Sequence, residues 1–145
     1  MADIYCEFDR TSLNEAKRKL TQLTEFEKSA VVAKGLSEGA RIIANETRKN
    51  IDQRLKQKTG NLRGSVSTVT KKKDKKAWIG FKRPKGAHAH ILEKSSGPRY
   101  TKSGAYRGRV KAYRFQEDAV ERKGQQALDT VAESIIKSIE TIMNA

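Results

Sequence analysis

His88, His90 and Glu93 are the one cluster in the chain whose residue types could bind a metal or move a proton. On a strand the two imidazoles would share a face, an arrangement a metal can use. A zinc site nevertheless needs three or four ligands at defined spacing, and these are the only two histidines. Cys6 is the single cysteine, which excludes an internal disulfide and a cysteine-based metal site. The serines lack the strand–turn–helix elbow that activates a nucleophile, and the glycines between positions 97 and 108 do not open a helix as a phosphate loop must. The residue types point to a non-enzyme with no cofactor and no metal.

Charge is the stronger chemical signal. The 145 residues carry a net charge of +14. Between Arg54 and Arg114 stand 19 Lys or Arg and only two acids, Asp74 and Glu93, so a basic middle is flanked by near-neutral ends. A concentrated positive field suits a polyanion or an acidic protein surface. Within it, Arg99, Lys102, Arg107, Arg109 and Lys111 lie in a glycine-bearing stretch without acids, and are the candidate partner or DNA contacts. Tyr100, Tyr106 and Tyr113 interleave with Arg99, Arg107, Arg109 and Arg114, a pattern that can stack bases and bind phosphates. No helix-turn-helix, zinc-finger or RNA-recognition signature is present, so any nucleic-acid binding is expected to be non-specific.

The elements that must position these residues follow from periodicity. One domain over residues 1–145 is expected, with a thin core: Leu, Ile, Val and Phe supply 29 residues. So little aliphatic content at this charge favours completing burial against copies of the chain or a partner. Residues 4–8 alternate as a short strand. The helical part spans residues 10–56, with Leu13, Ala16, Leu20 and Leu23 on one face and Leu36, Ala40, Ile43, Thr47, Ile51 and Leu55 on the next. Gly35 and Gly39 widen that second face with positions that permit a close neighbour. Gly60 is expected to end the long helix in a left-handed conformation, and residues 62–70 to run as a strand. A charged tip over residues 71–76 leads to a second strand, 77–81, in which Trp78 anchors a sheet face. Residues 87–93 read as a strand or a helical turn, residues 95–109 as a long basic loop, and residues 116–143 as a helix. The sheet and basic loops thus occupy residues 59–115. The fold class is α+β, with the terminal helices on a small antiparallel sheet. No apolar run reaches the length of a membrane span, and no secretory signal precedes the first helix, so a reducing cytoplasm is the expected site of synthesis.

In this order the elements resemble the tail-component and head–tail joining (tail-completion) proteins of long-tailed bacteriophages. The likeness rests on Thr59, Gly60, Leu62 and Ser65 in a TG-x-L-x-x-S element after the long helix, and on Glu93 before the small-residue run Ser95-Ser96-Gly97. Arg114-Phe115 with Ala119 approximates the family's R-P-F-x-x-x-A element without its proline. The resemblance implies a structural virion protein that forms a homo-oligomeric, hexameric ring at the head–tail junction. Its neighbours there would be portal-side connector and tail-tube proteins, with non-specific DNA contact open and no membrane. A nucleic-acid-binding protein using residues 54–114 is the alternative reading.

Overall fold

The computed structural model describes residues 10–56 and 59–145; the strand expected over residues 4–8, and Cys6 with it, lie outside them. The long helix α2, Glu25–Arg54, is the spine. It follows α1, Arg10–Thr21. Its start is written locally: the Thr24 hydroxyl accepts from the Glu27 amide (3.3 Å) and the Glu27 carboxylate accepts from the Thr24 amide (2.9 Å). This reciprocal box satisfies two donors that a helix end otherwise leaves orphaned. Against α2 lies α5, Phe115–Met143. Gly35 faces Val131 and Ile135, Gly39 faces Ala127 and Val131, and Asn50 meets Phe115, so the two helices run antiparallel. A Cβ on Gly39 would stand 2.5 Å from Val131 Cγ2 and 2.8 Å from the Ala127 carbonyl. The close neighbour that the small residues permit is therefore the chain's own last helix. Leu20 of α1 and Leu23, which lies in the turn after α1 rather than on its face, close the other end over Ile135, Ile139 and Ile142.

Between the long helices come α3, Asn61–Ser65, the strands β1, Val66–Lys71, and β2, Lys76–Phe81, and α4, Ala89–Lys94. The strands pair antiparallel from Val66↔Phe81 to Lys71↔Lys76. With helices packed on a two-stranded antiparallel sheet, the fold is α+β. Leu62, Val66, Ala89 and Phe115 join Ala44 and Ile51 of α2 in the main core cluster.

Four expectations are corrected. The long helix stops at Arg54, next to the Leu55 that ends its apolar stripe and here turns extended to pack on the core, so Gly60 is not what ends it. Gly60 is left-handed (φ 77°) but it opens α3. Residues 61–65 are that helical turn and not the start of a strand, because the Gly64 amide donates to the Gly60 carbonyl (2.8 Å) and Ser65 Oγ to the Leu62 carbonyl (2.7 Å). The turn drops Leu62 and Ser65 into the core, and β1 begins only at Val66. The charged tip is also shorter than expected: Lys71 and Lys76 are paired strand residues, leaving a four-residue turn closed between Lys72 and Lys75. Trp78 is 45% exposed on the sheet face away from α2, whereas Ile79 and Phe81 pack inward.

Candidate partner-binding surfaces

The six motif residues divide into a seam and its rim. Phe115 is fully buried and stacks on Tyr113 with ring centroids 5.4 Å apart. Leu62 is buried in the same cluster, Ser65 is buried one turn on against the Leu62 carbonyl, and Gly60 supplies the left-handed entry to their helix. Glu93 holds the start of α5: its Oε1 accepts from the Gln116 and Glu117 amides, both at 2.9 Å. A carboxylate at the positive end of a helix gains from both the hydrogen bonds and the dipole. The Arg114 amide in turn donates to the Glu93 carbonyl (3.3 Å) and the Tyr113 amide to that of Leu92 (2.8 Å). Thr59 stays at the surface, its hydroxyl accepting from the Asn61 amide. These residues therefore build one joint between α3, α4 and α5.

Two further members of that joint carry no motif signal. Asn50 is fully buried and donates through Nδ2 to the Phe115 carbonyl (2.8 Å). Arg54 pairs with Asp118 at 2.6 Å and donates to the carbonyls of Tyr113 and Arg114, tying the last turn of α2 to the first of α5. Their partners lie some sixty residues away in sequence, a distance no periodicity reports. Arg114 hydrogen-bonds Glu117 (2.8 Å) and Glu121 (2.9 Å), which holds its proton more firmly than usual and lowers the Glu117 carboxyl.

The basic stretch is built differently. Residues 95–111 fold back as a narrow arm whose two runs hydrogen-bond to each other. At its root the Ser96 amide donates to the Val110 carbonyl (3.2 Å) and the Val110 amide to Ser96 Oγ (2.9 Å). Farther out, Arg99 and Arg107 are bridged through the Arg107 amide (2.6 Å), Tyr100 and Tyr106 form a β-bridge, and the Thr101 amide reaches the Ala105 carbonyl (2.8 Å). Gly104 turns the tip with φ 84°. Tyr100 and Tyr106 pack on each other at 5.6 Å, and each remains 61% exposed. The sequence cluster thereby loses two members, since Tyr113 belongs to the core and Arg114 to an ion-pair network.

A second open surface is the outer face of the β1–β2 hairpin. Val69 pairs with Trp78 there, both about half exposed, and Lys71 pairs with Lys76 one step along the same face. His88 and His90 lie at the start of α4, with His90 Nδ1 against the Ala87 carbonyl (3.0 Å). No group of three or more metal-ligating side chains forms among the described residues. A recess of about 340 Å³ opens where α2, α3 and α4 meet, with Ile51, Leu55, Leu62 and Leu92 beside polar side chains, and its Asp52 carboxylate is held by Arg63 (2.9 Å). No helix among the described residues is long and apolar enough to cross a membrane. Compared with protein-family models, curated proteins and solved structures, the chain finds no match.

Proposed function

We propose that this chain is a structural virion protein that joins or completes the tail of a long-tailed bacteriophage, working as a homo-oligomeric ring at the head–tail junction. The observation that carries the reading is the uncovered outer face of the hairpin. A two-stranded sheet buries one face on α2 and leaves Trp78 and Val69 half exposed on the other. Large exposed aromatics flanked by polar residues suit a protein interface. The occupant in this reading is a second copy of the chain, since exposed carboxylates along α5, including Asp129 and Glu133, complement the lysines around Trp78. The motif elements give further support: three of their residues, Leu62, Glu93 and Phe115, meet in one joint. Portal-side connector and tail-tube proteins are the neighbours proposed for the ring's two faces. The role is mechanical and needs no catalytic residue or cofactor.

Sedimentation velocity across concentration, with negative-stain micrographs of the associated fraction, tests the reading. Rings of uniform diameter are the expected result, hexameric by the resemblance, and Trp78→Glu should shift the distribution to monomer. A wild-type chain that stays monomeric at every concentration, with and without portal-side proteins, would overturn it.

A further inference from the structure

The arm over residues 95–111 goes beyond assembly. Arg99, Lys102, Arg107, Arg109 and Lys111 all project from it without an ion-pair partner among the described residues. The one side-chain contact of the set, Arg99 Nη2 to the Arg107 carbonyl at 3.5 Å, neutralises nothing. Five like charges on one ribbon repel each other, so a fold that retains them gains most when a polyanion arrives. The lysine turn at residues 72–75 differs, because Asp74 sits within it and approaches Lys71 at 4.0 Å.

Geometry narrows the kind of polyanion. The arm is two strands wide and closed by backbone hydrogen bonds, so little ordering remains to oppose binding. A two-stranded ribbon has the width that a duplex major groove admits, and arginines and lysines along both runs can reach phosphates. Tyr100 and Tyr106 add aromatic surface, 61% exposed on each ring, of the kind on which unpaired bases stack. An acidic protein surface would use the charges but gives no reason for a mutually braced tyrosine pair at the centre of the ribbon.

We propose that the arm is a sequence-independent nucleic-acid grip, in which Arg99, Lys102, Arg107, Arg109 and Lys111 bind the phosphate backbone and the Tyr100–Tyr106 pair meets bases. It holds whether or not the chain assembles into rings. The source of the phosphates, duplex or single strand, is separated by the probes.

Fluorescence anisotropy of the full chain with labelled mixed-sequence duplex and single-stranded DNA, over about 50–200 mM salt, tests it. Five phosphate contacts give a slope of log affinity against log salt of about −4.5 on duplex and about −3.5 on single strands. Changing the five cations together to Gln should flatten that slope to near zero and weaken binding by on the order of a hundredfold at the low-salt end, with an unchanged melting temperature. Tyr100→Ala with Tyr106→Ala should weaken the single-stranded complex about tenfold and the duplex complex less. Converting Lys72, Lys73, Lys75 and Lys76 to Gln should leave most of the affinity intact. The proposal is overturned if the wild type binds neither probe, or if the five-Gln variant binds as tightly as wild type. It is equally overturned if polyglutamate displaces the wild type as well as unlabelled DNA does, which would assign the arm to an acidic protein.

Discussion

Three glycines of this chain separate three physical roles, and substitution by alanine should tell them apart. At Gly39 the obstacle is space: a new Cβ would meet both a Val131 methyl and the Ala127 carbonyl, forcing α5 away from α2. Gly39→Ala should cost about 1–3 kcal/mol, in the range of overpacked cores. At Gly60 space is free but φ is 77°, so Gly60→Ala should cost about 1 kcal/mol and Gly60→Asn less. At Gly64 neither obstacle exists, and Gly64→Ala should be neutral or stabilise by about 0.5 kcal/mol through the unfolded chain. Chemical denaturation of the three variants checks the order, and a Gly39→Ala protein as stable as the parent would contradict the close α2–α5 approach. The sequence made Gly35 and Gly39 legible as close-approach positions, but not whose helix would approach. That choice depends on Val131 and Ile135, almost a hundred residues away.

Among the elements, legibility tracked how local the determining interactions are. The spans of α1, α2 and α5 were readable because their apolar periodicity is written within a few residues; the Thr24–Glu27 box that starts α2 is just as local, though the periodicity alone marked the helix. Residues 61–65 misled because Leu62 and Val66, four apart, fit one face of a helical turn and one face of a strand alike, and the Ser and Thr alternating with Val beyond them favoured the strand. The helical turn is instead fixed by Gly60 and by the tertiary demand that Leu62 reach Phe115. The inward or outward facing of Trp78 was likewise undetermined by alternation alone, which defines two faces without saying which one α2 covers. The role of Glu93 as the remote cap of α5 was out of reach for the same reason. Glu93→Gln keeps one carbonyl acceptor for the Gln116 and Glu117 amides but loses the charge and places an amide donor where the buried Oε2 has no partner, a cost of about 1 kcal/mol. Glu93→Ala leaves those amides without their acceptor and should cost about 1–3 kcal/mol, read from denaturation midpoints. The helix starts also predict acid sensitivity. Hydrogen bonds from Thr24 to Glu27, and from Arg114 to Glu117, lower both carboxyls below the ordinary glutamate value. Their contribution is complete above the unfolded value of about 4.3 and is lost as pH falls through the lower folded value. Melting temperature should therefore hold from neutrality down to about pH 5 and then fall, with a shallower fall in Glu27→Gln and Glu117→Gln variants.

At the scale of the whole molecule, the two open surfaces are joined to the core in different ways, and this makes them separable. The hairpin is continuous with the core through Val66, Ile79 and Phe81, so its outer face is rigidly placed relative to α2. The arm is attached only at its root, where Ser96 and Val110 exchange two hydrogen bonds, and none of its members beyond that root is buried. The chain re-enters the core independently of the arm, through the Tyr113 amide on the Leu92 carbonyl and through Phe115. Replacing residues 98–108 with a tight two-residue turn should consequently leave the melting temperature within about 3 °C of the parent, since the ends are already held together. The shortened chain should still associate as wild type does in sedimentation velocity, while its binding to DNA weakens and the salt slope on duplex falls from about −4.5 to about −1.8, because Arg109 and Lys111 remain. Trp78→Glu should show the opposite pattern, with DNA bound by monomers. An arm-deleted chain that folds but no longer associates would place the arm in the subunit interface instead, and would tie the two activities to a single surface.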